Sequence, residues 1–216
     1  MQIAIPLFDR LTALDAVGPY EVLSRLPGAR VDFVAAETGV YETDTRMLGL
    51  NAKLTYDEVP EPEVLLVPGG IGSRKLMHHE PTLEWVRRVH ERSRFTTSVC
   101  TGALVLGAAG VLDGLEATTH WMAREQLAAL GVTVVERRVV EQGKVITAAG
   151  VSAGIDMALV LAAHIAGPEV AQAIQLGIEY DPQPPFDAGS PDKAPAAIVD
   201  VVRQVERVEE ATAAAG

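Results

Sequence analysis

One cysteine in 216 residues, Cys100, excludes an intrachain disulfide. The five histidines are scattered and form neither an HxH pair nor an HExxH zinc signature, and His78-His79-Glu80 reads as a solvated loop or helix start. Long apolar runs are missing as well. The longest nearly continuous one, Val99 to Leu112, is 14 residues with three glycines, against the roughly 20 residues that a membrane span requires. Positive charge is scarce: Lys and Arg number 18 against 29 Asp and Glu, for a net charge of −11 and a pI near 4.9. That balance repels phosphates and argues against nucleic acid or an anionic membrane as partner. The N-terminus, Met1-Gln2-Ile3-Ala4-Ile5, lacks a basic n-region and a small-residue cleavage site, so the expected location is cytoplasmic. Gly69-Gly70-Ile71-Gly72 is neither GxGxxG nor a Walker sequence, which leaves no nucleotide motif. The expectation is a protein without metal or organic cofactor.

What is present is an ample core. Hydrophobic residues make up 48% and charged residues 22%, within the range of one globular α/β domain of this length. Short β-branched runs alternate with longer stretches of helical spacing, the pattern of a mostly parallel sheet with helices on both faces. Strands are predicted at Ile3 to Phe8, Val31 to Ala36, Val64 to Val67, Phe95 to Val99, Val132 to Val135 and Val145 to Ala148. Helices are predicted from near Pro19 to Pro27-Gly28, through Trp85, Val86 and Val89 to Arg94, from Met122 to Leu130 and from Ala153 to Ile165. The turn-rich stretch up to Asp57 suits a hairpin. Residues 179–195 carry five prolines and read as an arm without helix or central strand, ahead of a final helix over 196–213.

In open α/β sheets ligands bind beyond the carboxyl ends of the strands, which directs attention to Asp15, Gly69-Gly70 and Cys100-Thr101. A cysteine on a tight strand-to-helix turn has its thiolate favoured by the N–H groups that open the next helix. The N–H groups of Thr101 and Gly70 are candidates for an anion hole. Each residue has a plainer use: Cys100 as a small buried hydrophobe, Asp15 as a helix cap, His120 as a hydrogen-bonded structural residue at a helix start. Asp15 serves chemistry only if the first and fourth predicted strands lie close in space.

Taken together, Val67-Pro68-Gly69-Gly70, Ser98-Val99-Cys100-Thr101-Gly102 and Ala153-Gly154-Ile155-Asp156 resemble the DJ-1/PfpI superfamily. Leu14 to Pro19, Leu104 to Gly110, Ala117 to Trp121 and the arm from Glu179-Tyr180 to Pro191 narrow the likeness to its isocyanide (isonitrile) hydratase branch. The resemblance implies a flavodoxin-like three-layer sandwich, one domain over residues 1–216, and a homodimer in which the arm contacts the partner or closes the site. It further implies Cys100 as nucleophile, Asp15 as its acidic partner, and Thr101 and Gly70 as amide donors; His120, from its place at a helix start, is a candidate third catalytic member or pocket residue. Thr101 stands where the peptidase-like branch has a histidine, which counts against a Cys-His peptidase. Ala148-Ala149-Gly150-Val151 is less glycine-rich than the branch leads one to expect. The implied reaction adds the thiol across an isocyanide carbon and hydrolyses the thioimidate to an N-substituted formamide. Two other readings compete. One is a glyoxalase-type cysteine enzyme acting on reactive carbonyls. The other is a ligand-sensing module related to transcription regulators, for which the chain, ending at Gly216 after one helix, is expected to lack a DNA-binding region.

Overall fold

A computed structural model describes residues 1–214. They fall into two compact units, one from Met1 to Ile178 and one that begins at Glu179. The first unit opens with β1 (Gln2–Pro6), α1 (Ala13–Leu23), β2 (Arg30–Ala35), the strands β3 (Gly39–Glu42) and β4 (Gly49–Ala52), β5 (Leu54–Thr55) and β6 (Val64–Val67). It continues with α2 (Ser73–Leu76), α3 (Glu80–Arg92), β7 (Phe95–Val99), α4 (Gly102–Ala108), β8 (Glu116–Ala117), a 3-10 turn (Trp121–Ala123) and α5 (Arg124–Ala129). It closes with β9 (Thr133–Val134), β10 (Val139–Gln142), β11 (Val145–Ala148), α6 (Ala153–Ala166) and α7 (Pro168–Gly177).

Seven strands form one sheet in the order β10-β11-β7-β6-β1-β2-β5. All neighbours are parallel except β10 against β11. Every residue of β6 and of β11 is buried, so both faces of the sheet are covered, as an uninterrupted apolar run in a parallel sheet requires. α1 packs on α6 and α6 on α7, while α3 and α4 pack on one another and against β6. Under α3, the Trp85 indole stacks on Tyr56 at 4.4 Å between centroids and donates to the Val59 carbonyl at 3.0 Å. The flavodoxin-like architecture expected from the sequence is the one observed.

Several elements depart from the sequence reading. α1 starts at Ala13 and contains Pro19, where the apolar pattern alone places its start. Proline forfeits one intrahelical hydrogen bond, yet its ring fills the close approach to Gly154 of α6, where an ideal Cβ would meet Pro19 Cγ at 3.2 Å. Tertiary packing outweighs the local rule. The segment read as a helix from Met122 divides into the 3-10 turn and α5, and the strand read at Val132 to Val135 is the two-residue β9, paired with β8 outside the main sheet. β10 and α7 have no counterpart in the sequence reading. The turn-rich stretch does hold a hairpin, β3 with β4.

The second unit has no regular structure until α8 (Ala196–Ala214), which exposes Ile198, Val201, Val202, Val205 and Val208. Among the described residues no helix is long and apolar enough to cross a membrane, and no cluster of metal-ligating side chains forms.

Within the first unit, the sheet grows from β1 toward β2 on one side and toward β6 on the other. This is the switch point at which a crevice opens at the carboxyl ends of the strands.

Candidate active site

Three turns meet at that crevice: the entry to α1, the loop after β6 and the turn between β7 and α4. Cys100 occupies the last of these with φ 57°, a left-handed conformation that a side-chain-bearing residue adopts at a cost. Its backbone is held on both sides. The N–H donates to the carbonyls of Ala148 at 3.1 Å and Ala149 at 3.0 Å, and the carbonyl accepts the Thr119 hydroxyl at 2.8 Å. The next turn passes so close to β6 that a Cβ on Gly102 would lie 2.1 Å from the Val67 carbonyl oxygen, so glycine is required there. The outcome is a sharp elbow with Cys100 at its apex, 5% exposed.

The N–H groups of Thr101 and Val151 both reach the Cys100 thiol, and each favours its ionised form. Burial and the neighbouring Asp15 charge outweigh them and hold the thiol well above its ordinary range. The thiolate expected from the elbow alone is therefore a thiol at rest. The helix-start argument has the right sign, but desolvation is the larger effect.

Asp15 is in the first turn of α1 and is fully buried. It is not the cap. That position belongs to Thr12, whose hydroxyl donates to Asp44 at 3.0 Å instead of to the helix. Asp15 Oδ2 accepts the Gly69 N–H at 2.9 Å, while the buried Oδ1 has no partner in ordinary hydrogen-bond geometry among the described residues. The Cys100 thiol lies against the same carboxyl. Burial raises Asp15 from 3.8 to about 7; the Gly69 N–H and the thiol pull it down, and the Asp44 charge adds to the rise. The first and fourth predicted strands, β1 and β7, flank β6, and the Gly69 turn bridges them.

Thr101 and Gly70 form a reciprocal pair. The Gly70 N–H donates to Thr101 Oγ1 at 2.8 Å, and that hydroxyl donates to the Gly70 carbonyl at 3.0 Å. The Gly70 N–H, expected in the anion hole, is thus spent on locking the elbow to the β6 turn, and the second donor at the sulfur is Val151. Gly69 lies between all three turns: a Cβ there would meet Thr101 N at 2.5 Å, Thr101 Oγ1 at 2.7 Å and Asp15 Oδ2 at 2.9 Å.

Sequence reasoning missed Val151. Its φ of 25° is strained for a β-branched residue. The segment Ala149 to Ser152 is held from one side by Arg138, whose carbonyl accepts the Ala149 N–H at 2.9 Å and whose guanidinium donates to Ser152 Oγ at 3.2 Å and to Asp156. The signal lies in the same strand-end rule, since Val151 follows the carboxyl end of β11, the strand beside β7. Thr119 was missed for a different reason, since its contact with the Cys100 carbonyl has no local pattern. His120 is half-buried against the same segment, where a Cβ on Gly150 would fall 2.7 Å from its Cδ2. Burial, with the Arg74 and Arg124 charges, lowers His120 to about 4 and keeps the ring neutral.

A buried sulfur, a carboxyl that titrates near neutrality and two convergent N–H groups can together form a covalent bond to an electrophile while moving one proton. The DJ-1/PfpI family profile matches residues 1–164. The isonitrile hydratase of Pseudomonas putida is 46% identical over 204 residues, 94% of this chain and 89% of that protein. The crystal structure of a ThiJ/PfpI family protein from Pseudomonas syringae superposes with a TM-score of 0.90 at 36% identity, covering 97% of this chain and 89% of that one. Drosophila melanogaster DJ-1beta, at 21% identity, shares the fold with a TM-score of 0.75 over 82% of this chain and 97% of its own.

Proposed function

The chain belongs to the DJ-1/PfpI family, and from that premise we propose that it is a cofactor-independent isocyanide hydratase, forming N-substituted formamides through a covalent adduct on Cys100. The observation that carries this reading is the buried Cys100–Asp15 pair, in which a thiol faces a carboxyl that titrates near pH 7. The similarity to an isonitrile hydratase supports the substrate class.

An isocyanide carbon bears a lone pair, accepts a soft nucleophile and has no leaving group. The reaction therefore needs a thiol proton moved from sulfur to carbon, which a single carboxylate in contact with both can accomplish. Asp15 takes the Cys100 proton as the sulfur bonds to carbon, then delivers it to that carbon, leaving a thioimidate and a regenerated carboxylate. Negative charge developing on sulfur is met by the N–H groups of Thr101 and Val151. Water adds to the thioimidate carbon, the imidate nitrogen gains a proton, and the C–S bond breaks as the carbonyl forms. The formamide leaves and the thiol is restored. With Thr101 following Cys100, the imidazole that a Cys-His peptidase places there is missing. A homodimer, implied by the same resemblance, belongs to this proposal.

The test is formamide production from cyclohexyl isocyanide by wild type, Cys100→Ala and Asp15→Asn. Wild-type turnover that vanishes in the first variant and falls at least about 100-fold in the second, the usual range for loss of an acid–base group, supports both roles. No turnover by the wild type on several isocyanides overturns the substrate class and moves the search to reactive carbonyls.

A further inference from the structure

Asp15 acts from the first turn of α1, so whatever fixes the entry to that helix fixes the reaction's base. We propose that Asp44, in the turn between β3 and β4, is a positioning residue for the reaction: tied to Thr12 at the mouth of α1, it holds the Asp15 carboxyl against the Cys100 thiol and keeps a second negative charge beside it. The inference rests on the hydratase reading and concerns its first step, transfer of the thiol proton to Asp15.

The chain between β1 and α1 is fastened on two sides. On one side it meets the hairpin: the Arg10 N–H donates to the Glu42 carbonyl at 2.7 Å, Leu11 and Thr43 form a parallel bridge, and the Asp44 N–H donates to the Leu11 carbonyl at 2.9 Å. On the other it meets the turn after β6, where the Thr12 N–H donates to the Gly69 carbonyl at 2.9 Å and the Gly72 N–H to the Arg10 carbonyl at 3.1 Å. Thr12 then leads into α1, its carbonyl accepting the Asp15 N–H at 3.1 Å. Side chains close the same junction. Thr12 donates its hydroxyl to Asp44 Oδ2 at 3.0 Å, and Asp44 Oδ1 accepts the Thr45 N–H at 2.8 Å. The half-buried Asp44 therefore grips the residue that opens the helix carrying Asp15.

A carboxylate is a costly choice for that task. The amide of an asparagine can make both contacts, its oxygen accepting the Thr45 N–H and its nitrogen donating to the Thr12 hydroxyl. Aspartate adds only charge, and that charge lies close enough to Asp15 to oppose its ionisation. A purely structural link would be better served by the neutral amide, so the charge is the part that the reaction uses. A base for a thiol needs a high proton affinity, and a second carboxylate nearby supplies some of it. The groups facing Asp15 are the Gly69 N–H, the Cys100 thiol and the Asp44 carboxylate, while α6, packed on α1, meets that helix with Gly154 and Ile155. The other charged residues of these loops are Asp9, Arg10, Glu42 and Arg46, and among the described residues none is ion-paired with Asp44. In the step concerned the Cys100 proton passes to Asp15 as the sulfur–carbon bond forms, and Asp44 exchanges no proton.

The experiment compares wild type, Asp44→Asn, Thr12→Val and Thr12→Ser with two readouts. The first is adduct formation from cyclohexyl isocyanide across pH, followed by quenched-flow intact-mass analysis. The second is titration of the Asp15 carboxyl by carbon NMR in aspartate-labelled protein, its signal assigned by its absence in Asp15→Asn. In Asp44→Asn the pH limb and the Asp15 midpoint are both expected to move down by about half a pH unit or more, because a like charge has been removed. In Thr12→Val the limiting rate is expected to fall about tenfold or more, whereas Thr12→Ser, which keeps the hydroxyl, stays within about twofold of wild type. A midpoint and limb within about 0.2 pH units of wild type in Asp44→Asn overturns the proposal and leaves the hydratase reading intact. So does a Thr12→Val rate equal to that of wild type, or a Thr12→Ser rate as low as that of Thr12→Val. A wild type inert toward isocyanides overturns the hydratase reading and this catalytic role with it, while the NMR midpoints still decide whether the Asp44 charge acts on Asp15. Matching circular dichroism shows that the variants are folded.

Discussion

Burial raises the Asp15 carboxyl to about 7, and the shift enters the stability of the fold as well as its chemistry. The folded chain keeps the Asp15 proton at pH values where the unfolded chain, with an ordinary carboxyl, has released it. The favourable contribution is complete below about pH 4 and is lost as pH rises through about 7. Asp15→Asn, which stays neutral and still accepts the Gly69 N–H, is therefore expected to be more stable than wild type at pH 8, by an amount on the order of a few kcal/mol. Denaturant unfolding at pH 8 and pH 4 checks this, and the excess should shrink to a pH-independent remainder at the lower value. For the reaction the sign is opposite. In the proposed mechanism Asp15 starts as a base, so adduct formation should rise with pH through about 7, with a limb that disappears in Asp15→Asn. Thr101 is a different kind of residue, since its hydroxyl both accepts from and donates to Gly70. Thr101→Val leaves the buried Gly70 N–H unpaired, at about 1–3 kcal/mol, while the Gly70 carbonyl keeps the Ser73 N–H at 3.0 Å, whereas Thr101→Ser retains both bonds. Thermal denaturation of the pair should place the valine variant well below the serine one.

At the scale of elements, the site exists because three turns approach more closely than side chains allow. Gly69 is the tightest point. Gly69→Ala would set a methyl 2.5 Å from Thr101 N and 2.9 Å from Asp15 Oδ2, forcing the elbow and α1 apart. The expected outcome is both a lower melting temperature and a loss of adduct formation, read by differential scanning calorimetry and intact mass. The elements legible in advance were those whose burial follows from their own composition. Val64 to Val67 and Val145 to Ala148 are buried at every position, and the helix around Trp85 shows its apolar side in plain spacing. The sequence pattern starts α1 near Pro19 because proline is disfavoured inside a helix, a local rule that packing on Gly154 overrides. β9, at two residues, and β10, on the sheet edge with alternating burial, carry too little pattern to be identified alone.

At the scale of the molecule, a net charge of −11 over 216 residues disfavours association with polyanions, and a second copy of itself is the partner proposed. Light scattering after size exclusion should give roughly twice 22.9 kDa, and the melting temperature should rise with protein concentration if folding and association are linked. A single species at 22.9 kDa would refute the dimer. The sequence by itself determined the layered α/β class and the strand ends that bring Cys100, Asp15 and Thr101 forward as candidates, because these depend on periodicity and on residue type near turns. Only the tertiary structure decided that Val151 serves the sulfur, that Gly70 serves Thr101, and that the His120 ring covers Gly150 beside Trp121. It also decided that burial makes Cys100 a thiol and brings Asp15 near neutrality. Desolvation and convergence of amides are properties of what surrounds a residue in space, and segments as distant along the chain as Asp15, Gly69, Cys100 and Val151 acquire them only when the sheet has closed around them.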